Sequence, residues 1–195
     1  MAHAPGLRVI EPRVYVSCLH CYNAGRLHGE WFDVPDDPDD LLAEVLSFFG
    51  AVCVAHAAHD PECAACVEVA SRLPCGGEEL AVHDHEGLGA WGESFDPQGL
   101  CQVAALVRAF PERPALAYLE AVDSDIDAAR EGLEERYSGA WDSLGEWAES
   151  HARDMGLDAE ALWSYVDWER YGRDLELGGG VMTLREGGAV HVFWS

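Results

Sequence analysis

The stretch YSGAWDSLGEWAES, residues 137–150, decides how the rest of the chain is read. It follows an acidic, helix-forming segment and precedes the C-terminal quarter, and on that placement it reads as a hinge. Ser143 and Glu146 have capping-box spacing, in which each side chain satisfies a backbone N–H left unpaired at a helix start. A helix is therefore predicted from about Leu144. Leu144, Trp147, Ala148, Ala152 and Met155 recur at three- and four-residue steps and form its apolar stripe, with Glu146, Glu149, Arg153 and Asp154 between them.

The same pairing of an apolar seam with an anionic face recurs through the chain. Of 195 residues, 36 are Asp or Glu and 12 are basic, all of them arginine, for a formal net charge of -24. Such a field repels nucleic acid and anionic lipid and draws in basic partners. Solubility or halophily also account for an acidic composition, but disorder does not fit a chain with seven Trp, six Tyr and six Phe. The start MAHAPGLRVIEPR lacks the apolar core of a signal peptide, and no stretch has the length of a membrane span. A cytoplasmic protein is expected, with its seven cysteines mostly reduced or metal-bound.

Upstream of the quoted stretch, Arg13 to Cys18 alternates as a half-buried strand does, with Val14 and Val16 on one side. Asn23, Gly25 and Gly29 mark an irregular loop before a second strand over Trp31 to Val34. Asp36, Asp37, Asp39 and Asp40, with two prolines, crowd the start of an apolar run, where a helix exposes unpaired N–H groups and a partial positive charge. Three short helices are predicted between Pro97 and Tyr137, with stripes Leu100/Val103/Ala104/Val107, Ala115/Leu116/Leu119 and Ile126/Ala129/Leu133/Tyr137. Asp123, Asp125, Asp127, Glu131, Glu134 and Glu135 surround the third. Downstream, Gly156 suits a helix end and Asp158 the cap of a helix from about Ala159. A further helix runs over Val166 to Leu175, anchored by Trp168 and Tyr171 and stopped by Gly178 to Gly180. A hairpin of Val181–Leu184 and Ala189–Phe193 closes the chain, with Gly187 and Gly188 in its turn. Its edge is available to a second copy.

Two groups of metal-type residues need weighing. Cys53, His56, His59, Cys63, Cys66 and Cys75 crowd an Ala-rich segment from Gly50 to Cys75. His56 and His59 suit the last turn of one helix, Asp60 and Pro61 the start of another, and four ligands across that bend would close a tetrahedral zinc site. Small buried thiols in a helical hairpin account for the same residues without metal, and no metal is assigned. The cluster His83-Asp84-His85-Glu86 would serve a metal hydrolase only if His83, Asp84 and His85 faced one pocket. Read as alternating along a continuing strand, the two histidines face apart, so a strand-end turn is expected.

The segments RVYVSCLHCYNAGRLHGEWFDV, ELAVHDHEGLG, YSGAWDSLGEWAES and YGRDLELGGGVMTLREGGAVHVF resemble, in order and spacing, the ArdA-type antirestriction proteins. That resemblance implies a non-catalytic, cofactor-free protein carried by conjugative plasmids, transposons or phages. It implies mimicry of bent B-form DNA, occupying the DNA-binding groove of type I restriction-modification enzymes and inhibiting restriction, with inhibition of modification an open alternative. It also implies an elongated dimer of three-domain chains joined through the C-terminal domain. Tyr137, Gly139, Trp141, Ser143, Glu146, Trp147, Ala148 and Glu149 match the family's antirestriction motif. Gly50 to Ala70 is an insertion relative to the family, and its Cys and His residues inherit no role.

The expected fold class is α+β. A small antiparallel sheet with a helix spans 1–96, a helical middle 97–140, and a C-terminal antiparallel sheet with helices 141–195. These carry 17, 8 and 11 acids against 4 arginines each, so all three are negative. Two chains together carry -48, the charge of about 80 Å of duplex at one phosphate per roughly 1.7 Å. The carboxylates expected to meet the partner are Asp36, Asp37, Asp39, Asp40, Asp123, Asp125, Asp127, Glu131, Glu134, Glu135, Glu146 and Glu149. An acidic zinc-binding adaptor is the alternative.

Overall fold

The computed structural model describes residues 11–23, 27–59, 80–157 and 163–195. Within them the chain is α+β, with seven helices and two three-stranded antiparallel sheets. Contacts divide it into two compact units, residues 1–109 and 110–195.

The first unit holds β1 (Arg13–Cys18), α1 (Leu19–Asn23), β2 (Gly29–Asp33), α2 (Pro38–His59), β3 (Leu80–Glu86) and α3 (Pro97–Ala109). The sheet order is β2-β1-β3. Val14 and Val16 are fully buried, as the alternation of β1 requires, and Phe32, Val34, Leu41, Val45, Phe49, Val82 and Leu100 are buried in the same unit. A one-turn helix, α1, forms directly after β1 and ends at Asn23, the first of the expected loop residues; Gly25 lies outside the described residues and Gly29 already belongs to β2. Helix α2 starts with Pro38 in its first turn, where a missing N–H costs nothing. It continues without a break through Gly50 to His59, so His56 and His59 fall on its last turn. The side chains of Cys53, His56 and His59, and all of Cys63, Cys66, Cys75 and the Asp60–Pro61 cap, lie outside the described residues.

Strand β3 runs to Glu86, past the turn expected at His83. Residues two apart in a regular strand share a face, so alternation is not what parts the two histidines. The register against β1 slips instead: Val82 pairs with Val16, Asp84 with Tyr15 and His85 with Val14, leaving His83 as an unpaired bulge. His83 packs edge-on against the Tyr22 ring at 4.9 Å, whereas Nε2 of His85 lies 3.2 Å from the Trp91 carbonyl. The two therefore serve different partners.

The second unit holds α4 (Glu112–Ala121), α5 (Ile126–Glu135), β4 (Tyr137–Trp141), α6 (Leu144–Asp154), α7 (Trp168–Leu177), β5 (Val181–Glu186) and β6 (Ala189–Trp194), in the sheet order β4-β6-β5. One sheet face presents Val181, Val190 and Val192 to Leu144, Trp147 and Ala148 of α6, with Tyr171 and Leu175 of α7 packed alongside. A Cβ on Gly172 would lie 2.8 Å from Cγ of Leu144, so glycine there lets α7 approach α6. The other face presents Phe193, on which Tyr118 of α4 stacks at 4.2 Å. Gly187 and Gly188 both have positive φ, as the tight turn between β5 and β6 demands.

Several expectations for this unit need correction. The 137–150 stretch is not a hinge: its first half is the edge strand β4 and its second half opens α6. Tyr137 belongs to that strand and not to the stripe of α5, which stops at Glu135. Met155 is 62% exposed rather than part of the seam, because α6 ends at Asp154 and Gly156 turns the chain with φ 73°. Val166 precedes α7, whose cap is Asp167. The expected helix start at Asp158 and Ala159 lies outside the described residues.

Candidate acidic partner-binding surface

Carboxylates outnumber arginines in both units: 17 against 5 over 1–109 and 19 against 7 over 110–195, so each unit carries -12. Among the described residues, six arginines already sit in ion pairs. Arg108 joins Glu11 at 3.3 Å and Asp36 at 3.0 Å, and Arg113 joins Glu186 at 2.9 Å. Arg130 meets Asp127 at 3.3 Å, Arg136 meets Glu131 at 3.6 Å, Arg13 meets Asp33 at 3.8 Å, and Arg153 holds Glu149. Most of these pairs are solvent-exposed and add little stability. Their consequence is that local cations answer some carboxylates and leave others to the solvent.

The twelve carboxylates expected from sequence sort by their local work. Asp37 accepts from the Asp39 N–H at 2.9 Å, at the start of α2. Asp125 caps α5 by accepting from the Ala128 N–H at 3.0 Å. Glu146 accepts from the Asp142 N–H at 3.1 Å, one residue before the cap, while Ser143 Oγ accepts from the Glu146 N–H at 3.1 Å; the capping box is thus offset by one position. Such placements follow from the positive end of a helix. Glu149 departs furthest from a free surface acid. It is held by Arg153 and accepts from the Trp163 indole at 2.6 Å, and the Arg153 guanidinium lies over that ring at 5.0 Å. Asp36, Asp127 and Glu131 are paired as above. Asp39, Asp40, Asp123, Glu134 and Glu135 are exposed and, among the described residues, meet no cation. Asp39 and Asp40 stand in the first turn of α2 in the first unit; in the second, Asp123 precedes α5 and Glu134 and Glu135 close it.

The motif residues are built into the second unit. Gly139 has φ 100°, and the register slips between Tyr137 and Ala140, so β4 bulges there. The bulge places Ser138 under two indoles: Trp147 Nε1 donates to its Oγ at 2.9 Å and Trp141 Nε1 to its carbonyl at 3.0 Å. Trp147, 1% exposed, stacks on His151 and meets Trp194 at 5.2 Å. Glu169 of α7 accepts from the Gly145 N–H at 3.1 Å, supplying a second acceptor at the start of α6. The Tyr137 hydroxyl lies 2.8 Å from Nδ1 of His191. Burial pushes the Tyr137 pKa up and the His191 pKa down. Ser138, Trp163, Glu169 and His191 carry no signal in sequence, because each acts through a contact across the sheet or between helices.

Among the described residues, no three His, Cys, Asp or Glu side chains are grouped to hold a metal ion. In the same residues no helix is long and apolar enough to cross a membrane. No curated protein matches the chain. Residues 14–190 match the profile of the family described as "Antirestriction protein (ArdA)", a span that runs from β1 to the start of β6 and takes in the carboxylate-rich helices and the whole 137–149 motif. The chain belongs to the ArdA family of antirestriction proteins.

Proposed function

We propose that the chain is a cytoplasmic, non-catalytic DNA mimic. In this reading it occupies the DNA-binding groove of type I restriction-modification enzymes and blocks restriction, and it works as a homodimer joined through residues 141–195. The observation that carries the reading is the surplus of exposed carboxylates after local arginines are paired, in both units, on a chain of the antirestriction family. A basic groove that takes up phosphate charge is met only by many anions at once.

The test is competition between the chain and DNA for a DNA-free type I enzyme. Inhibition is expected to be competitive and to weaken as salt rises, with a shallower slope than for DNA because carboxylates are spaced more widely than phosphates. Neutralising Asp39, Asp40, Glu134 and Glu135 one at a time is expected to have small effects on binding, and together to weaken it cumulatively; for Glu134 and Glu135, in the last turn of α5, no loss of stability is expected, whereas Asp39 and Asp40 also favour the start of α2. Inhibition that persists at saturating DNA, or that vanishes with one of these changes in a folded protein, contradicts distributed charge mimicry.

A further inference from the structure

His191 is a buried imidazole, 6% exposed, on the central strand of the second unit's sheet, and its Nδ1 lies 2.8 Å from the hydroxyl of Tyr137 on the edge strand β4. We propose that Tyr137 and His191 form an acid-sensitive latch: protonating His191 releases β4, and with it the first half of the 137–149 motif, while the β5–β6 hairpin stays paired.

The geometry makes β4 the weaker side of the sheet. Its paired residues are Tyr137, Ala140 and Trp141, on either side of the bulge at Ser138 and Gly139, with one further bond just before the strand from the Trp194 N–H to the Arg136 carbonyl at 2.9 Å, whereas β5 pairs with β6 without interruption from Val181 to Glu186. The Tyr137 ring also covers the imidazole, with centroids 5.9 Å apart, and leans on Phe193 at 5.0 Å. A neutral ring suits this site. In the neutral tautomer protonated on Nε2, Nδ1 accepts from the Tyr137 hydroxyl. An imidazolium would turn Nδ1 into a donor, forcing the hydroxyl to reverse and give up its own acceptor in a half-buried site.

The charged groups on the surrounding elements do not compensate a buried cation. From β5 comes Glu186, which favours the proton, but Arg113 of α4 already holds its carboxylate at 2.9 Å. Tyr118 of α4 presents an aromatic face to Phe193, and the α5 end brings the exposed pair Arg136–Glu131. Burial outweighs Glu186, so the imidazole in the closed sheet holds its proton less tightly than in water. With β4 displaced, the ring reaches solvent and regains an ordinary pKa of about 6.5. The open form therefore binds more protons, and opening is favoured as pH falls below that value.

Hydrogen exchange of the full chain, corrected for intrinsic rates and read by mass spectrometry from pH 7.5 to 5.0, tests the latch. Protection of residues 137–141 is expected to fall by up to about tenfold per pH unit below about 6.5, while residues 181–186 and 144–154 keep theirs. His191→Gln, neutral throughout, is expected to flatten that dependence. Tyr137→Phe removes the donor that favours the neutral ring, so it is expected to start from lower protection at pH 7.5 and fall less steeply; it keeps the test available if the glutamine variant does not fold. A flat profile for the native chain, loss of all three segments with one midpoint, or a glutamine variant that follows the native profile overturns the proposal.

Discussion

Replacing Trp147 by alanine separates the structural part of the 137–149 motif from its charge. The indole is 1% exposed and packs with Leu144, Ala148, Val181, Val190 and Val192. Truncating a buried Trp costs about 3–5 kcal/mol through lost burial and the remaining cavity. The hydrogen bond to Ser138 Oγ contributes about 1 kcal/mol of that, since the hydroxyl is half-buried and can turn to water. For a folding unit of this size, 1 kcal/mol moves Tm by about 4–8 °C, so Trp147→Ala is expected to lower the melting of residues 110–195 by at least about 12 °C. Trp147→Phe keeps most of the volume and is expected to cost about 1–2 kcal/mol. A double-mutant cycle of Trp147→Phe with Ser138→Ala, read from urea melts by circular dichroism, isolates the hydrogen bond at about 0.5–1.5 kcal/mol of coupling. If Trp147→Ala melts within about 1 kcal/mol of the native chain, the helix–sheet seam is not what holds this unit together. If the cycle shows no coupling, the indole–hydroxyl bond does not fasten β4.

Three further outcomes are expected. Asp125→Ala removes the α5 cap and should cost about 1 kcal/mol in a denaturant melt, while Asp125→Asn, which still caps, should cost far less. Gly132→Ala drives a Cβ into the Tyr118 ring and hydroxyl, and stacking on Phe193 restrains that ring, so a loss of about 1–3 kcal/mol is expected despite the better helix propensity of alanine; a stabilised variant would contradict the packing. Elemental analysis separates the readings of the Cys/His-rich insert: about one zinc per chain, with stability lost on chelation, marks a closed metal site, and metal-free protein of unchanged stability leaves only thiols.

What was legible in the sequence is what local chemistry specifies. Val14 and Val16 alternate because β1 has a buried and a half-exposed face, Ser143 and Glu146 announce α6 because a helix start needs acceptors, and Gly187-Gly188 can supply the left-handed pair the last turn requires. Strand β4 was illegible for the same reason. YSGAW has a glycine at its centre and no apolar alternation; its strand character comes from pairing with β6 and from two indoles reaching back to Ser138. His83 shows the limit in another form, since one bulged residue changes which side chains share a face and nothing local marks where the slip falls. Of the expected surface carboxylates, exposure at helix starts was readable, and Arg153 stands one helical turn from Glu149, but the capture of Glu149 by the Trp163 indole depends on a residue brought back from beyond the end of α6.

That sorting changes what a charge-removal experiment means for a protein of this kind. A carboxylate at a helix start acts twice, as an acceptor for backbone N–H groups and as a surface charge, so removing Asp125 or Glu146 perturbs the fold and the field together. Glu149 is more confounded still, because neutralising it breaks its ion pair with Arg153 and weakens the anchor of Trp163 while removing a charge that Arg153 already balances. Loss of inhibition in such a variant would be attributed to mimicry although the cause was local unfolding. Asp39 and Asp40, in the first turn of α2, also have a double role, favouring the helix start as well as adding charge, whereas Glu134 and Glu135, exposed in the last turn of α5, have none among the described residues. Neutralising Glu134 and Glu135 changes the field and leaves caps, seams and ion pairs in place, so it is on these two positions that the electrostatic account stands or falls.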